Sequence, residues 1–210
     1  MDKVQQAVNV FDKHAEAYQQ RFMDVTLYHD ALDTFCRLVH NPAAHILDVA
    51  CGPGNISRYL LAQEPLYTIL GTDLSPNMLE LARRNNPKAV FQPTDTRYIA
   101  QLNRCFNGIL CSFGLPYLSK TEALQFIQDA AQMLWPGGVL YLSTMEADYS
   151  TSGIERSSSG DEVYMHYHEA AYLEQAMEAA GLTVAATDRK TYPGRDSAMI
   201  TDLILVAQKP

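Results

Sequence analysis

The sequence predicts a doubly wound α/β fold, and three observations carry that expectation. Short apolar runs alternate with amphipathic segments from residue 44 to about 145, a glycine loop directly follows the first run, and the second run also ends in an acidic residue. The expected strands are 45–50 (HILDVA), 67–73 (YTILGTD), 89–94 (AVFQPT), 106–112 (FNGILCS) and 138–144 (GVLYLST). A helix is expected over 55–63, after the glycine loop. Another is expected over 76–85, where Ser75 can cap the first turn and Pro76 takes the first helical position. Over 120–134, Ala123, Leu124, Ile127, Ala130, Ala131 and Leu134 recur with helical period, and Trp135-Pro136-Gly137-Gly138 stops that helix.

Residues 2–39 read as two helices, with Phe11, Tyr18, Phe22, Leu32 and Phe35 among their apolar positions. Residues 146–160, rich in Ser, Gly and charge, read as a mobile loop, and 168–180 as a helix ending at Gly181. The stretches 182–192 and 197–209 read as two strands joined through Pro193-Gly194. With no repeat and no long linker, the expectation is one domain over 1–210: a helical cap over 1–40, a core over 44–145, and a substrate loop with C-terminal strands over 146–210.

A composition of 47% hydrophobic and 19% charged residues suits a globular chain that needs no metal or disulfide staple. No run approaches the roughly 18–20 apolar residues of a membrane span, and the first residues show no apolar signal core. Cys36, Cys51, Cys105 and Cys111 form no ligand or redox spacing and are expected to be reduced thiols, so the expected location is the cytoplasm. Net charge is -8, and only Arg83, Arg84 and Lys88 cluster. A phosphate backbone demands a basic stripe, so a nucleic-acid partner is disfavoured and no membrane partner is expected.

The chemistry concentrates in ILDVACGPGNISRYL, residues 46–60. A buried strand ends in an acidic residue, then Gly52 and Gly54 permit backbone conformations and close ligand approach that a Cβ would block. Such loops serve dinucleotides and adenosyl cofactors alike. The dinucleotide fingerprint needs a third glycine where Ser57 stands, and Asp48 before the loop suits a neighbouring pyrophosphate poorly. The same carboxylate suits a cofactor carrying an ammonium and a sulfonium. The phosphate-loop pattern of ATP and GTP hydrolases is absent. Asp73, at the end of the second strand, can accept both hydroxyls of a ribose, and Asp95 after the third can accept an adenine amino group. Helix capping is the rival reading of each acidic residue taken singly.

With LDVACGPGN as a first motif, GTDLSPNML as a second, the stretch around Asp95 as a third and LWPGGVLYLS turning into a fifth strand, the chain resembles the class I S-adenosylmethionine-dependent methyltransferases of the small-molecule group. The resemblance covers roughly residues 10–210 and implies a Rossmann-like sheet of about seven mostly parallel strands with an antiparallel C-terminal edge pair. It implies that S-adenosylmethionine binds with Asp48, Ala50, Gly52 and Gly54 around its methionine part. Asp73 would bind the ribose, Leu74 and Met78 would flank adenine, and Asp95 with Thr96 would reach its edge. Cys111 would pass beneath the cofactor and Tyr18 would cover it; the product would be S-adenosylhomocysteine. The fourth-strand stretch CSFGLPYLS lacks the Asn-Pro-Pro-aromatic signature of amino-directed nucleic-acid methylases, which points again to a small acceptor.

Methyl transfer is an in-line displacement that needs a general base only if the acceptor must lose a proton. His166 and His168 are the candidate catalytic residues, because they alternate with Tyr164 and Tyr167 and would share a face in an extended segment. The rival reading is that one precedes the next helix and the other packs; a metal pair lacks a third ligand at sensible spacing, so no metal is expected. Phe113, Tyr117 and Tyr149 are candidate substrate-pocket walls, and the N-terminal helices with the 146–160 loop form a lid or a fixed cap. Two other functions stay open: an S-adenosylmethionine-binding protein without turnover or with other adenosyl chemistry, and a nicotinamide oxidoreductase. Oligomeric state is not legible.

Overall fold

The computed structural model describes residues 2–156, 160–194 and 199–210. Its first elements are three helices, α1 (Lys3–Lys13), α2 (Ala15–Phe22) and α3 (His29–Val39), where two were expected. The extra break is at His14, whose φ of -111° and ψ of 19° end α1 before α2 begins at Ala15. A 3₁₀ turn at Thr26–Tyr28 leads into α3, which buries Leu32 and Phe35 against the sheet.

The alternating core follows: β1 (His45–Val49), α4 (Asn55–Gln63), β2 (Thr68–Asp73), α5 (Pro76–Asn85), β3 (Val90–Pro93), β4 (Phe106–Ser112), α6 (Lys120–Met133) and β5 (Leu134–Met145). Ser75 caps α5 by accepting from the Met78 amide at 3.0 Å, with Pro76 in the first turn. Ser119 and Glu122 form a reciprocal capping box at the start of α6, which buries Ala123, Phe126, Ile127, Ala130 and Ala131; Leu124, expected on that face, is exposed. β5 begins earlier than expected because Leu134 pairs with Phe106 across a register shift before Gly108.

Residues 146–160 were expected to be loop. Instead a 3₁₀ turn at Tyr149–Thr151 is followed by β6 (Gly153–Arg156), paired antiparallel with β7 (Glu162–Met165); residues 157–159 lie outside the described residues. The pairing holds because Val163 and Met165 alternate inward and pack on Ala7 of α1. After α7 (Ala170–Ala179) come β8 (Thr183–Pro193) and β9 (Met199–Gln208); Pro193, expected in the join between them, is still paired with Met199 as the last residue of β8, and residues 195–198 lie outside the described residues.

The seven-stranded sheet has the order β3-β2-β1-β4-β5-β9-β8, parallel through β5 and antiparallel at β9 and β8. The chain reverses direction of travel across the sheet between β1 and β4. In open α/β sheets that switch point opens a crevice at the carboxyl ends of the strands.

Candidate functional site

A cavity lies at that switch point. Ala50, Gly52, Asp73, Leu74, Phe113 and Tyr117 line it from the strand ends, and α1 closes it from above. Three consecutive bends build the loop after β1: Ala50 at φ 52°, Gly52 at φ 51° and Gly54 at φ 76°. The two glycines do different work. A Cβ on Gly52 would project toward the Tyr18 ring, 3.8 Å away, into the gap that loop and ring enclose. A Cβ on Gly54 would lie 2.4 Å from Asn86 Nδ2 and 3.3 Å from the Ala82 backbone, so Gly54 exists to let α4 and α5 close together. Asn86 Nδ2 donates to the Gly54 carbonyl at 2.9 Å and fixes that approach.

Two carboxylates sit beneath and beside the loop. Asp48 is almost fully buried; Ser57 Oγ donates to its Oδ2 at 2.6 Å, while its Oδ1 has no hydrogen-bond partner. Burial pushes its carboxyl up to about 7, against the Ser57 hydrogen bonds that pull it down. Asp73 accepts from the Gly52 amide at 2.9 Å and from the Ser75 amide at 2.8 Å, and burial raises it as well. Each Asp73 oxygen keeps acceptor capacity beyond its one backbone partner. An orphaned buried acidic oxygen, a second acid anchored to the loop and a cradle open at Gly52 together fit a ligand carrying a positive charge at one end and vicinal hydroxyls at the other.

Residues 46–138 match the family described as methyltransferase domain. Residues 46–138 thus carry a methyltransferase domain, similar to those of the class I S-adenosylmethionine-dependent group. It is similar to trans-aconitate 2-methyltransferase of Methylobacterium nodulans, 41% identical over 35% of this chain and 27% of that one. It is also similar to malonyl-[acyl-carrier protein] O-methyltransferase of Enterobacter lignolyticus, 33% identical over 66% of this chain and 53% of that one. The matches thus span about half or less of the length of these curated relatives. The fold is that of magnesium protoporphyrin IX methyltransferase from Synechocystis with bound S-adenosylmethionine, with a TM-score of 0.73, 18% identity and coverage of 100% of this chain and 98% of that one.

The expected residues separate into those at the cavity and those away from it. Tyr18, Ala50, Gly52, Asp73, Leu74, Met78, Thr96, Phe113 and Tyr117 line it. Cys111 is fully buried below, with its Sγ 2.6 Å from where a Cβ on Gly114 would stand, and burial pushes its thiol up to about 12. Asp95 is not part of the lining. It caps the 3₁₀ segment Thr96–Leu102, and Arg97 holds its carboxylate through Nε at 3.0 and 3.1 Å and through Nη2 at 2.6 Å. The expected adenine contact thus meets a carboxylate already engaged by its own neighbour.

The histidines correct the sequence reading most. Neither lines the cavity, and neither does Tyr149. The His168 Nε2–H donates to the Leu115 carbonyl at 2.9 Å, which fixes the tautomer, and its Nδ1 accepts from the Tyr172 hydroxyl. With both nitrogens engaged and burial pushing it down to about 4, His168 is a neutral packing residue. His166 is buried too and lowered by burial, with Nδ1 3.2 Å from the Tyr149 hydroxyl, which itself accepts from the Lys120 amide at 3.1 Å. Tyr149 therefore braces the histidine cluster rather than walling the cavity.

Sequence reasoning missed the lining from Val4, Ala7, Val8 and Phe11 of α1. Their i, i+3, i+4, i+7 spacing was the available signal. It also missed how the strand-end turn is held: the Phe113 amide donates to Ser143 Oγ and to the Ser143 carbonyl, each at 3.1 Å, which stabilises Phe113 at φ 56°. No sequence feature announces a left-handed phenylalanine.

Proposed function

We propose that the chain transfers the methyl group of S-adenosylmethionine to a small molecule and releases S-adenosylhomocysteine. The observation that carries this reading is the Asp73 carboxylate at the end of β2, tied to the Gly52 amide at 2.9 Å and facing the cavity. Its remaining lone pairs suit the two ribose hydroxyls. Leu74 and Met78 suit the faces of adenine, Thr96 its edge, and the unpartnered Asp48 oxygen lies beneath the loop that would hold the methionine part. Tyr18 would close over the whole.

The sulfonium supplies a methyl that is intrinsically reactive, so alignment and exclusion of water account for much of the rate. This chain's contribution is the closed position of α1. Asp12 Oδ1 accepts from Ser75 Oγ at 2.7 Å and from the Asn77 amide at 2.9 Å, while Asp2 meets Arg97 at 2.8 Å, so α1 is held at both ends over the cavity. We place the reaction in the cytoplasm and exclude a nucleic-acid acceptor. Support comes from the net charge of -8 and the four free cysteines; among the described residues no helix is long and apolar enough to cross a membrane.

Calorimetric titration of the purified protein with S-adenosylmethionine and S-adenosylhomocysteine tests the reading, followed by transfer of labelled methyl to small acceptors. Micromolar binding with transfer supports it. Folded protein that binds neither compound sinks it, and binding without any methyl release reduces it to a binding protein.

A further inference from the structure

Resting on the methyl-transfer reading, we infer that the acceptor is an uncharged, largely apolar small molecule whose attacking atom is a neutral hydroxyl, thiol or amine. The roof of the cavity is apolar, from Val4, Ala7, Val8 and Phe11, and Leu118 with Tyr117 meets it from the turn after β4. Phe11 stands edge-on to Tyr117 at 5.1 Å and to Tyr18 at 5.7 Å, which makes that wall aromatic.

Among the described residues, Asp73 is the one carboxylate in the lining, and no lysine, arginine or histidine joins it. Four cations on the flanking elements are turned to other partners. Arg97 is shared by Asp2, Asp95 and Glu122. The Lys3 ammonium lies 3.3 Å over the Tyr164 ring, and Lys120 lies 4.1 Å over the Tyr172 ring. Lys13 pairs with Asp161 at 2.9 Å.

An acidic acceptor entering here would shed its hydration against the apolar roof and gain no protein cation in return, which is the costly way to bury a charge. The net charge of -8 adds repulsion at longer range. A neutral acceptor meets neither penalty. Its lone pair forms the bond to the methyl carbon as the carbon–sulfur bond breaks with both electrons left on sulfur. The acceptor's own proton then leaves to solvent water, so one neutral methylated product, one neutral thioether and one proton result.

Two fluorescent probes on one skeleton test this: N-phenyl-1-naphthylamine, which is uncharged, and its 8-sulfonate, which is anionic. Both are titrated into the protein saturated with S-adenosylhomocysteine and into the protein alone, for wild type and for Val8→Arg. The uncharged probe is expected to bind at least about tenfold tighter to wild type, and Val8→Arg to close that ratio by about tenfold. Val8 is half-exposed, and Phe11→Arg on the same helix face repeats the test if Val8→Arg fails to fold. Equal or tighter binding of the sulfonate to wild type overturns the inference. So does failure of both probes to bind, or a ratio that neither arginine moves. A protein that ignores S-adenosylhomocysteine yet prefers the uncharged probe keeps the neutral cavity and loses the methyl-transfer reading.

Discussion

Two groups of buried ionisable side chains stand at the carboxyl edge of the sheet, and they differ in what their hydrogen-bonding capacity faces. On the β1–β2 side, Asp48 leaves one buried oxygen without a partner, and Asp73 spends one bond per oxygen on backbone amides. On the β5–β9 side, His168 uses both ring nitrogens, and Asp202 accepts from the Tyr28 hydroxyl at 2.7 Å and the Tyr192 hydroxyl at 3.2 Å. Buried polar groups are normally satisfied within the protein. The His168–Tyr172 pair is therefore structural. Asp202 keeps the same spare capacity as Asp73, and the Thr144 and Tyr141 hydroxyls of β5 are unpartnered like Asp48 Oδ1, but none of these lines the cavity; the capacity that a ligand would complete is that of Asp73 in the lining and Asp48 beneath the loop. The difference separates a binding site from a brace more sharply than residue type does, since a histidine is the more familiar catalytic group.

The largest expected effect breaks the binding side. Asp73→Ala removes the proposed ribose acceptor and frees the Gly52 amide. S-adenosylhomocysteine affinity should fall by about a hundredfold or more, on the order of 2.7 kcal/mol, read by calorimetry. An affinity within threefold of wild type would remove Asp73 from the site.

The two loop glycines sharpen the same contrast. Gly54→Ala forces a left-handed alanine against the buried Asn86 amide and the Ala82 backbone, and should lower stability by roughly 2–3 kcal/mol in urea unfolding. Gly52→Ala carries the backbone strain alone, roughly 1 kcal/mol, but places its methyl in the cradle under Tyr18. Its signature is about a tenfold loss of S-adenosylhomocysteine binding with little loss of fold. Equal stability losses in the two variants would erase the distinction.

Legibility in the sequence followed the same division. The strand ends at Asp48 and Asp73, the loop glycines and the cap at Ser75 depend on local spacing, and the structure places them where that spacing implies. The bounds of α5 match the expected 76–85 because cap and proline encode them locally. His168 misled because its partners, Leu115 and Tyr172, come from two other elements, and alternation with tyrosines carries no trace of them. The β6–β7 hairpin hid behind its Ser and Gly content, since Val163 and Met165 show their inward faces only against α1. Asp95 is different. Its partner Arg97 is two residues away, so an acid-x-arginine pair was readable and was passed over in favour of capping or adenine.

Acidity tests Asp48 and His168 with opposite signs. Asp48 is held at about 7 by burial against an ordinary 3.8, so its protonated form favours the folded state. That contribution is full below about pH 4 and is lost as pH rises through 7. His168, lowered by burial from 6.5 to about 4, does the reverse: the unfolded chain takes the proton first, and stability is lost as pH falls from 6.5 toward 4. Asp48→Asn should therefore flatten the alkaline limb of the stability profile by roughly 1–2 kcal/mol and weaken S-adenosylhomocysteine binding about tenfold. His168→Phe should flatten the acid limb, cost roughly 2 kcal/mol from the orphaned Tyr172 and Leu115 groups, and leave binding within about twofold. Urea unfolding between pH 4 and 8 reads both. A His168→Phe protein that folds well but binds S-adenosylhomocysteine poorly would move His168 back into the site.

The smallest effect is expected at Asp95, and it decides between two roles for one carboxylate. Arg97 holds that carboxylate at 2.6–3.1 Å, in a pair whose side chains are 16% and 19% exposed. Asp95→Asn keeps a side chain able to cap the 3₁₀ segment and removes only the charge. If the ion pair is the whole role, unfolding should show a loss of about 1 kcal/mol, and S-adenosylhomocysteine affinity should change by less than about threefold. If Asp95 also accepts from the adenine amino group, the asparagine can still offer its carbonyl oxygen. The discriminating variant is then Asp95→Ala, which removes the acceptor altogether. A further drop of about tenfold in affinity from Asn to Ala would restore Asp95 to the adenine edge; equal affinities would leave Thr96 as the polar side chain there.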